Sequence, residues 1–319
     1  MSYAERHSGI QPAGGKAMFA VVAFLAAMAT GFLSSAQQSR QKAFSSPAEA
    51  ATALIAALQA NDNSALLEIL GPEAKDIISS GDPAEEKSNR ADFVEKYNQM
   101  HRFVAEPDGT TTLYIGAENW PTPIPLVEKG GAWYFDTAAG KQEILCRRVG
   151  RNELAAIQIC RELADAEKEY YAEPHDGDST REYAQKFVSE PNKHDGLYWQ
   201  PASGEAESPI GPLLAMAAAE GYSQAANREL EPFHGYYFRI LKAQGPNCPG
   251  GARSYIVDGK MTGGFAFLAY PAGYRTSGVM TFVVDQDGVV YEKDLGRRTA
   301  EIAKTLTQYD RDSTWRKAD

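Results

Sequence analysis

The stretch RNELAAIQICRELADAEKEYY, residues 151–171, carries the longest helical pattern in the chain. Apolar side chains recur three or four positions apart from Leu154 through Ile157 and Leu163 to Tyr170, which predicts an amphipathic helix. Asn152 is a candidate N-cap residue. A helix of this length needs a partner for its apolar stripe, and the strand patterns that follow it in the sequence would supply one.

Downstream of this helix, strand patterns dominate from Tyr236 onward. Asp258-Gly259 separates two short strands and is typical of a type I′ hairpin, and Gln286-Asp287-Gly288 separates another pair. Short helices are predicted over residues 182–188, 211–220 and 299–308. Residues 141–319 are therefore predicted to form an α+β domain in which a long helix precedes an antiparallel meander.

Upstream, residues 44–140 predict a first α+β domain. Ser46-Pro47-Ala48-Glu49 is a typical helix start, with Ser as N-cap and Pro in the first turn. Helices are predicted over residues 46–60, 65–70 (capped by Ser64) and 85–103, and strands over residues 110–115, 124–128 and 132–136. Gly130-Gly131 predicts the last hairpin turn. The order is similar to that of cystatin-like domains, in which helices wrap a curved antiparallel sheet.

The first 36 residues predict export. Arg6 and Lys16 precede an apolar run over residues 17–33, and Ser34-Ser35-Ala36 provides small residues for cleavage, the layout of a secretory signal peptide. Residues 37–43 would be a polar linker. We expect a periplasmic or secreted protein without a membrane span after cleavage. The alternative is a retained N-terminal membrane anchor, although the run is shorter than the roughly 20 residues of a spanning helix.

Composition narrows the range of partners. The chain has 319 residues, a formal net charge of −10 and 43% hydrophobic residues. An acidic surface repels phosphate backbones, so a nucleic acid partner is not expected. The chain has three cysteines, Cys146, Cys160 and Cys248, so at least one of them is unpaired within the chain. A disulfide from Cys248 to either of the others remains open in an exported protein.

Several segments resemble an exported bacterial family catalogued as domain of unknown function 2950. These segments are WPTPIPLV (120–127), GAWYFDTAAG (131–140), DGLYW (195–199), HGYYFRIL (234–241) and DGVVYEKDLG (287–296). The resemblance implies a location in the cell envelope and brings no activity or catalytic residue with it. The second domain also resembles a type IV pilin or pseudopilin head, because a long helix ending in AEKEYYA (166–172) precedes strands.

Candidate sites in the sequence are few. Oxygen-bearing side chains alternate at Asp176, Asp178, Thr180 and Glu182, a pattern that could hold calcium, although the loop departs from an EF-hand. A solvated turn is the other interpretation. No other cofactor is predicted.

His234 and Asp195 are the candidate catalytic residues, each of which could instead be an ordinary turn or strand-end residue. The aromatic residues Tyr198, Trp199, Tyr236 and Tyr237 could line a groove for sugar or peptide, or simply pack in the core.

The sequence lacks the motifs of serine hydrolases, zinc proteases and P-loop enzymes. It therefore favours a non-enzymatic envelope protein that binds or scaffolds, with an envelope protein or cell-wall component as partner. The alternative is an envelope hydrolase, or a sugar- or peptide-binding protein, that uses the aromatic groove.

Overall fold

The computed structural model describes residues 41–220, residue 222 and residues 231–318. The fold class is α+β, as predicted. The predicted signal peptide and the first part of the linker lie outside the described residues. The helices are α1 Pro47–Gln59, α2 Asn63–Leu70, α3 Lys75–Ile78, α4 Pro83–Gln99, α5 Thr137–Ala172, α6 Gly211–Ala219 and α7 Thr299–Thr305.

The strands form two larger sheets and two small pairs, and every pairing between them is antiparallel. They are β1 His101–Ala105, β2 Thr111–Ile115, β3 Trp120–Pro121, β4 Leu126–Lys129, β5 Ala132–Phe135, β6 Tyr236–Leu241, β7 Ala243–Gln244, β8 Arg253–Ser254, β9 Ile256–Val257, β10 Lys260–Met261, β11 Ala266–Pro271, β12 Met280–Asp285, β13 Tyr291–Asp294 and β14 Arg316–Lys317.

The first sheet has the order β1-β2-β4-β5, with β3 paired to β2. Residues of β2 alternate between buried and half-buried, because successive side chains of a strand point to opposite faces. Leu126 and Phe135 pack with Leu66 and Ile69 from α2 in one apolar core. The helix start at Ser46 is confirmed, since its hydroxyl accepts a hydrogen bond from the amide of Glu49.

The second sheet has the order β14-β13-β12-β11-β6. All six residues of its strand β11 are buried, and this strand contacts both α5 and α7. The hairpin at Asp258-Gly259 is confirmed, and both residues have positive φ, +51° and +82°, as a type I′ turn requires.

The long helix α5 begins at Thr137 rather than at Arg151 and has 36 residues, so it is roughly 54 Å long. Its first turns contact α3, and its later turns contact β11 and β12. Gly140 permits the close approach of its first turn to the loop before β4, because a Cβ there would overlap the carbonyl of Pro123. The boundary predicted between residues 140 and 141 falls inside this helix, and the division into two domains stays a prediction.

Three local predictions are wrong. The helix expected over residues 85–103 ends at Gln99, and Phe103 lies on β1. Residues 182–188 are not helical; the amide of Ala184 there donates to the carboxylate of Glu167. The cap of α2 is Asp62 rather than Ser64, since its carboxylate accepts from the amides of Ser64 and Ala65, both at 3.0 Å.

Candidate ligand-binding cavity

An apolar cavity of about 330 Å³ lies between the first sheet, α1, α2, α4 and the first turns of α5. Its volume is within the range of small-molecule sites. The apolar part of the wall is formed by side chains from segments distant in sequence: Leu54, Leu58, Leu66, Leu70, Phe93, Leu113, Ile124, Phe135 and Ile144.

One face of α5 supplies the charged part of the wall. Ile144, Arg147, Arg148 and Arg151 all line the cavity, and their spacing of three and four residues places them on one side of a helix. Arg90 lines it from α4. Four arginines therefore line the cavity. Among the described residues, Glu86 is the acidic side chain that lines it with them.

Arg148 is held by backbone carbonyls. Its guanidinium donates to the carbonyl oxygens of Asp76 at 3.0 Å, Ile77 at 2.5 Å and Thr276 at 3.4 Å. Burial lowers the pKa of this guanidinium, because the charged form loses hydration, while the nearby carboxylates of Glu85 and Glu86 oppose the shift. None of the three acceptors carries a formal charge, so among the described residues the Arg148 guanidinium is hydrogen-bonded but forms no ion pair.

The neighbouring arginines are more accessible. Side-chain exposure is 54% for Arg147 and 57% for Arg151. Arg147 pairs with Glu143 one turn earlier on the helix and lies 5.7 Å from the ring centre of Trp120. Arg151 donates to Glu85 at 2.9 Å. The two exposed guanidiniums thus mark the side of the cavity that water reaches.

Glu85, which accepts from Arg151, belongs to a polar cluster that we define as Asp82, Glu85, Asn152 and Tyr222. Asp82 accepts from the amide of Glu85 at 3.1 Å and from the hydroxyl of Tyr222 at 2.9 Å. The amide of Asn152 donates to Glu85 at 3.3 Å. Burial raises the pKa of Asp82, and the hydrogen bonds that it accepts partly offset that shift. Through Glu85 the cluster contacts Arg151, which lines the cavity.

The two candidate catalytic residues have separate surroundings. His234 has a positive φ of +47°, and its Nε2 lies 3.1 Å from the carboxylate of Glu220. Asp195 lies 2.8 Å from Lys186 and accepts from the amide of Glu190. Burial tends to raise the pKa of Asp195, but these hydrogen bonds lower it overall. Within the described residues no hydrogen bond or ion pair joins His234 to Asp195, and their catalytic role stays a prediction.

The four aromatic candidates differ in exposure. Tyr236 is fully buried, and its hydroxyl donates to the carbonyl of Met280, so it belongs to the core rather than to an accessible groove. Tyr237 packs against Tyr270. Tyr198 and Trp199 are half-buried, and the Trp199 ring lies 4.4 Å from that of His194. A groove at Tyr198, Trp199 and Tyr237 stays a prediction.

Three of the four candidate calcium ligands have side-chain partners of their own. Asp176 accepts from the amide of His194, Asp178 pairs with Lys260, and Glu182 accepts from the amide of Met261. Hydrogen bonds from Lys260 and the amide of Thr180 lower the pKa of Asp178 to about 2. Among the described residues, no group of three or more His, Cys, Asp or Glu side chains is arranged to hold a metal.

The three cysteines are free thiols. Cys146 is exposed, whereas Cys160 and Cys248 are buried. Burial raises the pKa of Cys160 to about 12, so this thiol is unreactive at neutral pH. Cys248 donates to the carbonyl of Tyr309 at 3.2 Å. The bridge from Cys248 that the sequence left open is absent from the described fold.

Sequence reasoning did not single out the cavity or its arginines. A signal was present in the run CRRVGR, residues 146–151, where three arginines occupy one helical face. The predicted helix began at Arg151, so that run was not assigned to a helix and its common face was missed.

The fold and the cavity define an α+β protein with an apolar internal site and an arginine-lined mouth. The chain belongs to the family described as protein of unknown function (DUF2950), whose model matches residues 41–318. This confirms the family resemblance; the pilin likeness and export stay predictions. No curated protein and no solved structure matches the chain. Within the described residues, no helix combines the length and apolarity needed to cross a bilayer.

Proposed function

We propose that this protein is a non-enzymatic binding module of the bacterial cell envelope that holds a small apolar ligand in its cavity. The observation that carries the proposal is the cavity of about 330 Å³, lined by leucine, isoleucine and phenylalanine side chains. Protein interiors are normally packed to the density of organic crystals. An apolar space of this size leaves its lining without contacts that a ligand would supply.

The walls are suited to binding rather than to collapse. Arg148 ties α5 to the carbonyls of Asp76 and Ile77, and Thr137 donates from the start of α5 to the carbonyl of Leu70 at the end of α2. These bonds fix the position of α5 relative to the α2 and α3 segments, which also line the cavity. The apolar part of a cavity that cannot collapse favours apolar molecules over water.

Titration with a neutral fluorescent probe, N-phenyl-1-naphthylamine, tests the proposal on the full chain. Ile144→Trp fills the cavity from α5. Leu154→Trp is the matched control on the same helix, because Leu154 is 67% exposed and is not among the cavity residues. We expect saturable binding to the wild type and to Leu154→Trp, with affinity at least about tenfold weaker in Ile144→Trp. Equal binding to all three would place the probe elsewhere and contradict the proposal.

The envelope location rests on residues 1–36, whose basic start, apolar run and small-residue end favour export. Expression in a bacterium followed by fractionation and intact mass measurement tests it. We expect a periplasmic or secreted chain that begins at Gln37. A full-length chain that stays in the cytoplasm would contradict this part of the proposal.

A further inference from the structure

The geometry points to a ligand of one chemical class, a single-chain amphiphile with an anionic carboxylate head. The inference rests on the proposed function, since it specifies the occupant of the same cavity. The tail would lie among the apolar side chains, and the carboxylate would lie at the exposed side, bound by Arg147 and near Arg148.

The first argument is the charge of Arg148. Its hydrogen bonds go to three backbone carbonyl oxygens in the described structure, and it lines the cavity directly. A cation that is partly removed from water and has no contacting carboxylate attracts an anion more strongly than a hydrated surface cation does. A negatively charged head group would add to the nearby carboxylates of Glu85 and Glu86, which partly offset the loss of hydration that lowers the pKa of this arginine.

The second argument is the availability of Arg147, since the other outer arginine, Arg151, already donates to the buried carboxylate of Glu85. The pair of Arg147 with Glu143 joins residues four apart on the helix surface, and both side chains are about half exposed. Surface pairs of this kind contribute little to stability and exchange partners readily. Arg147 can therefore turn toward a bound carboxylate, and the planar guanidinium matches a carboxylate with two parallel hydrogen bonds.

The third argument is the shape of the charge distribution. The arginines of α5 lie on one helical face, whereas α1, α2 and β2 contribute the apolar side chains Leu54, Leu66 and Leu113. Arg90 of α4 also lines the cavity, but it pairs with Glu86. A ligand that is charged at one end and apolar along the rest matches both the arginines and the apolar side chains of the wall. At about 30 Å³ for each water-sized group, the cavity accommodates a chain on the order of ten carbon atoms.

The test compares three ligands with the same tail, decanoate, decanol and decyltrimethylammonium, by displacement of the neutral probe from the full chain. We expect decanoate to bind at least about tenfold more tightly than decanol, because a charge-assisted hydrogen bond to a guanidinium is stronger than a bond between neutral groups. Decyltrimethylammonium should bind most weakly. Added salt should weaken decanoate and leave decanol unchanged.

Arg147→Gln locates the head group. This substitution removes an exposed charge and should weaken decanoate by about fivefold to tenfold without changing decanol. Arg161→Gln is the matched control, because Arg161 is also exposed on α5 but does not line the cavity. It should bind all three ligands as the wild type does.

The outcomes separate the two proposals. If decanoate and decanol displace the probe equally well, or if the cationic ligand binds best, the inference about the head group is overturned while the binding module stands. If Arg147→Gln leaves the affinity for decanoate unchanged, the placement of the carboxylate is overturned. If neither the probe nor any of the three ligands binds, the proposed function fails and the inference fails with it.

Discussion

Asp82 and Gly235 are 153 residues apart, yet the amide of Gly235 donates a hydrogen bond of 2.9 Å to the carboxylate of Asp82. Gly235 has a φ of +71°, and a Cβ at this position would collide with Asn152 and Ser277. The contact therefore needs a glycine, and it ties the start of α4 to the start of β6. It connects the helices around the cavity to the second sheet.

Asp82→Ala should destabilise the fold strongly. The substitution removes the cap of α4 and leaves the hydroxyl of Tyr222 and the amide of Gly235 without their acceptor. We expect a loss of about 3 kcal/mol in the free energy of unfolding, measured by urea denaturation. Asp92→Ala is the control, because Asp92 is exposed on the same helix; it should change stability by less than about 0.5 kcal/mol. Similar losses in both variants would contradict the account.

The two glycines of α5 should respond in opposite directions to alanine. A Cβ at Gly140 would overlap the carbonyl of Pro123, whereas none of the described atoms outside the helix lies within 4 Å of a Cβ at Gly150. Gly140→Ala should cost about 1–3 kcal/mol through overpacking. Gly150→Ala should stabilise by about 0.5–1 kcal/mol, because alanine loses less conformational freedom in a helix. Thermal unfolding of both variants measures this, and a stable Gly140→Ala would show that α5 does not contact that loop.

Arg148 and Arg147 are neighbours with different structural roles. Arg148→Lys should lower the free energy of unfolding by about 1–3 kcal/mol, because an ammonium group cannot reach the carbonyls of Asp76, Ile77 and Thr276 together. Arg147→Lys keeps an exposed charge and should change stability by less than about 0.5 kcal/mol. Denaturant titration measures the unfolding free energy of both variants. Equal losses would mean that the hydrogen bonds from Arg148 to the carbonyls do not stabilise the cavity wall.

Glu167 should make stability depend on pH. Its carboxyl is buried, one oxygen accepts from the amide of Ala184, and the other has no partner among the described residues. Burial raises the pKa of Glu167 well above its usual value. A raised carboxyl pKa favours folding below the unfolded-state pKa of about 4.3, and this contribution is lost as pH rises through the folded-state pKa.

Glu167→Gln removes that titration and keeps the size of the side chain. We expect the fall in unfolding free energy with rising pH to be smaller than in the wild type when urea denaturation is repeated across pH values. Glu169→Gln, at an exposed position on the same helix, should keep the wild-type slope. An unchanged slope in Glu167→Gln would show that this carboxyl titrates normally.

Local signals in the sequence predicted the turns and much of the secondary structure. The cap at Ser46 and the turn at Asp258-Gly259 depend on neighbouring residues alone, and both are confirmed. The start of α5 was missed because Gly140 and Gly150 weaken the helical pattern, while tertiary packing against α3 and Pro123 stabilises those turns. The end of α4 was missed because Phe103 fits a helical stripe as well as the β1 strand that it joins.

The cavity could not be predicted in the same way. Leu54, Leu113 and Ile144 line it from α1, β2 and α5, and no local pattern reports that such residues meet. Periodicity shows that a side chain is turned inward but not whether the interior it faces is filled. Tyr236 illustrates the reverse case, because an aromatic cluster in the sequence predicted a groove residue and the packing of the second sheet places it in the core.

Methyl NMR of the full chain during titration with decanoate tests the central claim, that this cavity is the ligand site. We expect the largest shift changes at Leu54, Leu66 and Ile144, which line the cavity, and none at Leu268, which lies in the core of the second sheet. Changes confined to the second sheet, or no saturable change at the three cavity residues, would contradict the account.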